Sequence, residues 1–331
     1  MSPPVVSAIV VNYRRGDLMA ACLGSLRAAL AELDEPSELI VVDNASGDGS
    51  CDLIRAAAPD ALLIENTENL GFAPAVSRAI DRSSGEWVLL VNNDVEVERG
   101  FVRELLAAAR TAPDVGSVAA QMRFAGTGDV INSAGIGIDR LGVAFDRLLG
   151  QPVAASEREP VEVFGACAGA AMFSRAMLQR IGGFDETFFF ALDDADVAWR
   201  ARMDGWRCLY VPAAIALHDH SATIGHGSDL KYFQVGLNRV RMLAKNADRR
   251  QLARYGLLMV GYDIAYVVFV ALRERTLAPL RGRLQGLREW RSYRRRGQSR
   301  RAVELAPIAG LRGALKRRDA WLHRSAARAS R

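Results

Sequence analysis

The sequence predicts an α/β fold in which helices sandwich a parallel sheet, and three observations carry that expectation. Short apolar runs alternate with amphipathic helical patterns through the first half of the chain. Runs such as IVV and VLLV are apolar at every position, as strands covered on both faces must be. Several runs end in polar residues that have no role in a core, and open α/β sheets bind ligands beyond the carboxyl ends of their strands.

The first strand is VVSAIVVNY, ending at Asn12-Tyr13, and the helical pattern DLMAACLGSLRAALAEL follows it. ELIVVDN ends at Asp43-Asn44 and leads into the helix SCDLIRAAA. ALLIEN is followed by polar residues from Asn66 to Asn69, ahead of the helix FAPAVSRAID. EWVLLVNND ends at Asn92-Asn93-Asp94 and precedes VRELLAAAR. From about Gly126 to Glu162 the periodicity weakens into loops or short strands, and no chemistry is assigned there. A second ordered block runs from Val163 to about Gly225, with the stretch GACAGAAMFS, the turn IGGFDETFFF, the acidic helix DDADVAWRARMDGW and the strand LYVPAAIAL. Helical patterns continue from Lys231, and there are no internal repeats.

With 50% hydrophobic and 24% charged residues in 331, the composition is that of a globular protein with room for one large domain plus an appendage. Cys22, Cys51, Cys167 and Cys208 lie far apart with no CxxC pair, so they read as reduced, buried thiols of a cytoplasmic protein. The N-terminal run has no positive charge ahead of it and is too short and strand-like for an export signal. The net charge of +5 hides an asymmetry: beyond Leu272 there are 18 Lys and Arg against 4 Asp and Glu, so the tail carries +14 and residues 1–272 carry −9.

Asn92-Asn93-Asp94 sets a carboxylate and two amides at the rim of the sheet. Mg²⁺ and Mn²⁺ take oxygen ligands, commonly one or two carboxylates plus substrate phosphates, so one aspartate can suffice; a plain turn after a strand uses the same residue types. A strand-tip carboxylate such as Asp43 can accept the imide N–H of uracil or thymine, with the following loop leading to a helix N-terminus that favours phosphate; a turn and helix cap explains it equally. Asp193, Asp194 and Asp196 open a helix, where the dipole favours acids and Asp196 with Arg200 is a routine i, i+4 pair. Adjacent acids are less routine: about 100° apart on a helix, one can face the crevice as a general base while its neighbour is held. His218 and His220 flank Asp219 after a strand, and alternation points both to one face. Either can bind Mn²⁺ or phosphate or be an ordinary loop histidine, and His218 is nearer the strand end.

Taken in order, VVNY (10–13), VVDNASGDGS (41–50), NLGFAPAVSRAI (69–80), VLLVNNDVEV (88–97), GACAGAAMFSR (165–175), IGGFDETFFFALDDADVAWRAR (181–202) and the segment near His218 resemble glycosyltransferase family 2, particularly its rhamnosyltransferase-like members that build bacterial cell-surface polysaccharides. Each motif is weak, but the ordered set spans roughly two-thirds of the chain. The resemblance implies a GT-A, Rossmann-like mixed sheet flanked by helices over residues 1–230, followed by a helical, arginine-rich extension over 231–331. It implies a donor pocket of Val11, Asn12, Tyr13, Asn69, Gly71, Asn92 and Asn93, with Asp43 reading the base. Asp94 becomes the last aspartate of a DxD-like motif whose first acidic position is Asn92 here; it holds Mg²⁺ or Mn²⁺, with His218 as a second ligand. Asp194 becomes the catalytic base, and Asp193 contacts the acceptor or supports the loop.

The implied reaction moves a sugar such as rhamnose from a dTDP- or UDP-sugar to a hydroxyl of a polyprenyl-linked or polysaccharide acceptor. A metal neutralises the departing diphosphate while a carboxylate deprotonates the attacking hydroxyl. One base opposite the leaving group implies a single displacement with inversion. A sugar-nucleotide nucleotidyltransferase needs a glycine-rich phosphate loop after the first strand, where this chain reads NYRRGD. A non-catalytic nucleotide-sugar-binding scaffold has no need of both Asp94 and Asp194.

Tyr255 to Leu272 is an apolar run with one charge, Asp263, at the lower bound for crossing a bilayer. Arg249, Arg250 and Arg254 precede it and Arg273 and Arg275 follow, which sets no orientation. A helix lying in the interface, or packed against the catalytic domain or the second subunit of a homodimer, fits better than a span. Arg294-Arg295-Arg296 and Lys316-Arg317-Arg318 suit the anionic inner face of the plasma membrane. No nucleic-acid-binding motif accompanies the charge, and a solvated basic tail is the remaining alternative.

Overall fold

The structure is a computed structural model that describes residues 3–219, 228–296 and 302–308. His220 and Lys316-Arg317-Arg318 lie outside the described residues. In chain order the elements are β1 (Val6–Asn12), α1 (Gly16–Leu30), β2 (Ser37–Asp43), α2 (Ser50–Ala57), β3 (Leu62–Glu65), α3 (Phe72–Asp81), β4 (Trp87–Asn92), β5 (Val95–Val97), α4 (Phe101–Ala109) and β6 (Val115–Phe124). Then come β7 (Ile131–Ser133), β8 (Ile136–Ile138), β9 (Ala144–Asp146), β10 (Val161–Val163), β11 (Ala170–Ser174), α5 (Arg175–Ile181), α6 (Asp193–Asp204) and β12 (Arg207–His218). Three helices close the list: α7 (Asp229–Asn246), α8 (Arg249–Glu274) and α9 (Ala278–Arg296).

The main sheet runs β10-β12-β6-β11-β4-β1-β2-β3, with β5 added beside β12 and β7 beside β6. β3, β2, β1 and β4 are parallel, as the alternation predicts. The sheet as a whole is mixed, because β11 inserts antiparallel between β4 and β6. Chain periodicity cannot foresee that strand: direction is set by the connection, here the long aperiodic stretch ahead of β11. Its small residues Ala170 and Ala171 are fully covered, and Ser174 at its end caps α5 by accepting from Met177 N.

Two apolar layers hold the sheet. One face buries Met19, Leu23 and Leu26 of α1 and Phe101 and Leu105 of α4, and the other buries Val76 of α3, Met177 of α5 and Trp199 of α6. The sheet is therefore covered on both sides, which explains its uniformly apolar central strands. Pro212 sits where β12 shifts register between Val211 and Ile215, a position where a strand tolerates a residue without an N–H.

The topology brings chemistry to one rim. Asn12, Asp43 and Asn92 end three parallel strands. β11, running the other way, delivers its entry to the same edge, where Asn92 N donates to Gly169 O at 2.9 Å. β12 is parallel to β6, so His218 also ends at that rim, and the β5–β12 pair sets His218 opposite Val95, next to Asp94.

Candidate active site

A crevice of about 390 Å³ opens at this rim, within the range of small-ligand sites. Its walls include Val11, Tyr13, Asn69, Gly71, Asn92, Asn93, Asp94, Asp193, Asp194 and His218, ten of the predicted site residues brought together. Asn12 and Asp43 lie buried beneath the walls, 0% and 3% exposed. Asn12 Oδ1 accepts from Asn93 Nδ2 at 2.8 Å, while its own amide donates to Asp43 Oδ1 at 3.0 Å. Asp43 also accepts from Ser46 Oγ and Ser46 N. The strand tips of β1 and β2 are thus tied through side chains to the crevice wall.

Asn44, named in the sequence only as part of the strand end Asp43-Asn44, is also a wall residue. Its amide donates to Asn69 Oδ1 at 2.8 Å and Gly71 O at 3.0 Å, and its carbonyl accepts from Asn66 Nδ2 and Leu70 N. Gly71 has φ +88°, and a Cβ there would collide with the carbonyl oxygen of Phe189, which accepts from Phe72 N at 2.6 Å. Only glycine lets the α3 entry approach the Phe189–Leu192 loop so closely.

Asp94 and His218 meet across the β5–β12 ladder, Oδ1 to Nε2 at 3.2 Å. His218 Nδ1 is 2.8 Å from Asn132 Oδ1, and in the tautomer that donates from Nδ1 to that oxygen the Nε2 lone pair is available to a cation. Asp94 Oδ1 is buried and accepts no hydrogen bond among the described residues. Two donors bound to one cation at about 2.1 Å in octahedral array stand about 3 Å apart, so the spacing and the orphaned oxygen fit a divalent ion. Among the described residues no three His, Cys, Asp or Glu side chains are grouped to hold a metal. That leaves open coordination for phosphate oxygens, as magnesium-type sites have.

Asp193 and Asp194 open α6 from the opposite wall. The residues just before them, Ala191 and Leu192, have φ +69° and +63°, a run of left-handed backbone that costs energy in residues with a Cβ. Asn238 of α7 holds this bend by donating to Phe190 O at 2.9 Å and Ala191 O at 3.0 Å. Burial and the neighbouring Asp194 push Asp193 up to about 8, and burial pushes Asp194 up as well. Asp194 accepts from Ala195 N at 2.7 Å and Ala168 N at 3.3 Å. Backbone donors favour the ionised form and act on both acids, with more of them on Asp194 than on Asp193.

Asp196, one turn on, has another fate. It is fully buried, and it pairs with Lys245 at 2.9 Å, Arg200 at 2.8 Å and Asn246 at 2.8 Å. Two further residues came from the stretch without periodicity: Asn132, already described, and Asp146, which burial pushes up to about 6, with Asp194 and His218 nearby. No pattern in the sequence could have flagged either. Lys231 of α7 also lines the crevice.

A mixed sheet of this order flanked by helices is a GT-A glycosyltransferase architecture. Among solved structures, the chain is similar to GalNAc-T7 with UDP, GalNAc and Mn²⁺, with TM-score 0.59 and 15% identity over 77% of this chain and 50% of that one. It is also similar to the mannosyltransferase PcManGT from Pyrobaculum calidifontis in complex with GDP-Man and Mn²⁺, with TM-score 0.51 and 21% identity over 100% of this chain and 82% of that one. The chain spans half the length of the first.

Residues 7–182 match the family described as Glycosyl transferase family 2, and the chain belongs to it. Within it the chain is rhamnosyltransferase-like. It is 28% identical over 246 residues to the N-acetylglucosaminyl-diphospho-decaprenol L-rhamnosyltransferase of Mycobacterium tuberculosis, covering 67% of this chain and 78% of that protein. It is 23% identical over 298 residues to the low-salt glycan biosynthesis hexosyltransferase Agl10 of Haloferax volcanii, covering 85% and 91%.

Proposed function

We propose that the protein is an inverting transferase that moves a sugar, rhamnose being the first candidate, from a dTDP- or UDP-sugar to a hydroxyl of a polyprenyl-linked or glycan acceptor. The observation that carries this is the pair of opposed walls, Asp94 with His218 on one side and Asp193 with Asp194 on the other. Asp43 reads the base, fixed at the strand tip by Asn12 and Ser46. Asn69 and Gly71 shape the nucleotide pocket, with Val11, Tyr13, Asn92 and Asn93 around it. Asp94 and His218 hold Mg²⁺ or Mn²⁺, which supplies neutralisation of the departing diphosphate. Asp194 takes the proton of the attacking hydroxyl, and Asp193, protonated, donates a hydrogen bond that steadies the acceptor or the loop.

Residues 1–230 form the catalytic unit in this reading and 231–331 the membrane-associating extension, although the boundary falls inside α7. α8 is long and apolar enough to cross a membrane, with hydropathy 1.8 over its apolar window. The one charge between Tyr255 and Leu272, Asp263, turns inward onto Arg239 at 2.7 Å and Arg283 at 2.9 Å. Leu257, Ile264, Val268 and Leu272 are left on an uncharged outer face, with arginines exposed at both ends and along α9. That combination suits peripheral docking on the anionic inner leaflet, while the like-charged arginines flanking the face oppose a homodimer through it.

The test is a donor-hydrolysis and transfer screen across nucleotide sugars with Mg²⁺, Mn²⁺ or chelator. Turnover of a pyrimidine nucleotide sugar that chelator abolishes is expected. Metal-independent turnover sinks the Asp94 role, and inertness toward every pyrimidine sugar sinks the donor assignment. Cosedimentation with anionic but not zwitterionic vesicles tests the membrane reading.

A further inference from the structure

α7 turns four cations toward the protein, and three of them are matched. Arg239 meets Asp263 at 2.7 Å, Arg241 meets Glu289 at 2.7 Å, and Lys245 bridges Asp185 and Asp196. Lys231, in the first turn after the Ser228 cap, is the exception. It is half-buried, lines the crevice with Asp94, Asp193 and Asp194, and its ammonium has no hydrogen bond or ion pair among the described residues. Neither Asp193 nor Asp194 forms an ion pair among the described residues, so Lys231 is not there to neutralise the dyad. A desolvated ammonium without a counter-ion costs free energy, and burial holds the Lys231 pKa down. An anion bound beside it offsets that cost.

Resting on the glycosyltransferase reading above, we infer that Lys231 is a substrate-binding residue that anchors a diphosphate in the crevice. A compact, rotatable ammonium suits phosphate as a point charge, and among the described lining residues it is the lone Lys or Arg. The chemistry is shared by two sources: the diphosphate of the nucleotide donor and that of a prenyl-diphosphate-linked acceptor. Lys231 works from the wall formed by α7, so the diphosphate is gripped by the extension as well as by the sheet rim.

The experiment titrates the full chain calorimetrically, in Mn²⁺, with UDP and dTDP, with the matching monophosphates, and with a short-chain prenyl diphosphate. Lys231→Gln is expected to weaken a diphosphate by about 10- to 100-fold, to leave the monophosphates within a few-fold, and to recover most of the loss as Lys231→Arg. A loss on the nucleotides assigns the donor; a loss confined to the prenyl diphosphate assigns the acceptor. Wild-type affinity of Lys231→Gln for both diphosphates overturns the inference while leaving the glycosyltransferase reading intact. A wild-type chain that binds no nucleoside diphosphate overturns the donor reading itself, and one that binds no diphosphate at all overturns both. Thermal melts of both variants separate binding loss from misfolding.

Discussion

Two groups of carboxylates share helix α6 and behave in opposite ways. Asp196 sits among Arg200, Lys245 and Asn246, and Asp185 from the preceding turn shares Lys245 and accepts from Thr187; these partners hold both acids below the usual carboxylate range, Asp185 at about 2. Asp193 and Asp194, less than one turn earlier, line the crevice, form no ion pair among the described residues, and are pushed up by burial. Burial is common to the two groups; the partners differ. The matched cluster fastens α6 to α7, whereas the unmatched pair retains its proton affinity, which is what a general base near neutral pH needs.

The contrast can be broken at either end. The largest effect is expected at the unmatched end: Asp194→Asn lowers kcat by about 10²- to 10⁴-fold while donor affinity persists, measured by transfer kinetics alongside nucleotide titration. Lys245→Met strikes the matched end. It strands Asp185 and part of Asp196, and costs about 3–5 kcal/mol of stability, read by denaturant unfolding. Turnover per folded molecule should change far less than in Asp194→Asn; an equal loss would erase the distinction between the groups.

A smaller effect is expected from Asn132→Ala, which frees His218 to rotate and change tautomer. Metal affinity should fall by about 10- to 100-fold, measured by Mn²⁺ titration with paramagnetic resonance detection, and unchanged affinity would remove Asn132 from the site. The finest test is a slope. Asp193 is raised from 3.8 to about 8, so the folded state holds a proton the unfolded chain releases, and its contribution to stability is lost as pH climbs through that window. Asp185, lowered from 3.8 to about 2, contributes above 3.8 and loses its contribution as pH falls toward 2. Asp193→Asn should remove the fall in stability between pH 3.8 and about 8 and leave the slope below 3.8, which Asp185 sets, unchanged.

How much of this was legible depended on whether the signal was local. β1 to β4 and their helices were readable because each carries its own period, and the strand-tip residues Asn12, Asp43 and Asn92 came with them. The antiparallel β11 was not, since strand direction depends on the route of the connection. Asp94 and His218 could be named singly, but their meeting at 3.2 Å is a property of the β5–β12 ladder. Asn132 and Asp146 come from a stretch with no period, and Lys231 looked like one more residue of a basic helical region. The inward turn of Asp263 was equally hidden: along the chain it interrupts an apolar run, whereas in the fold it leaves the outer face uninterrupted.

The segment after α9 returns to the body of the protein. Ala306 pairs in parallel with Asp139, taking Ile138 O at 2.9 Å and serving Arg140 N at 3.0 Å, while Val303 and Leu305 rest on the core. Trimming the arginine-rich end is the natural way to ask what it does on a lipid surface, and the cut site decides what such a trial reports. A chain stopped after Ile308 sheds the last arginines but keeps this strap. A chain stopped after Arg296 also strips the β8–β9 hairpin of its backbone partner, and the resulting fragility would masquerade as lost adhesion.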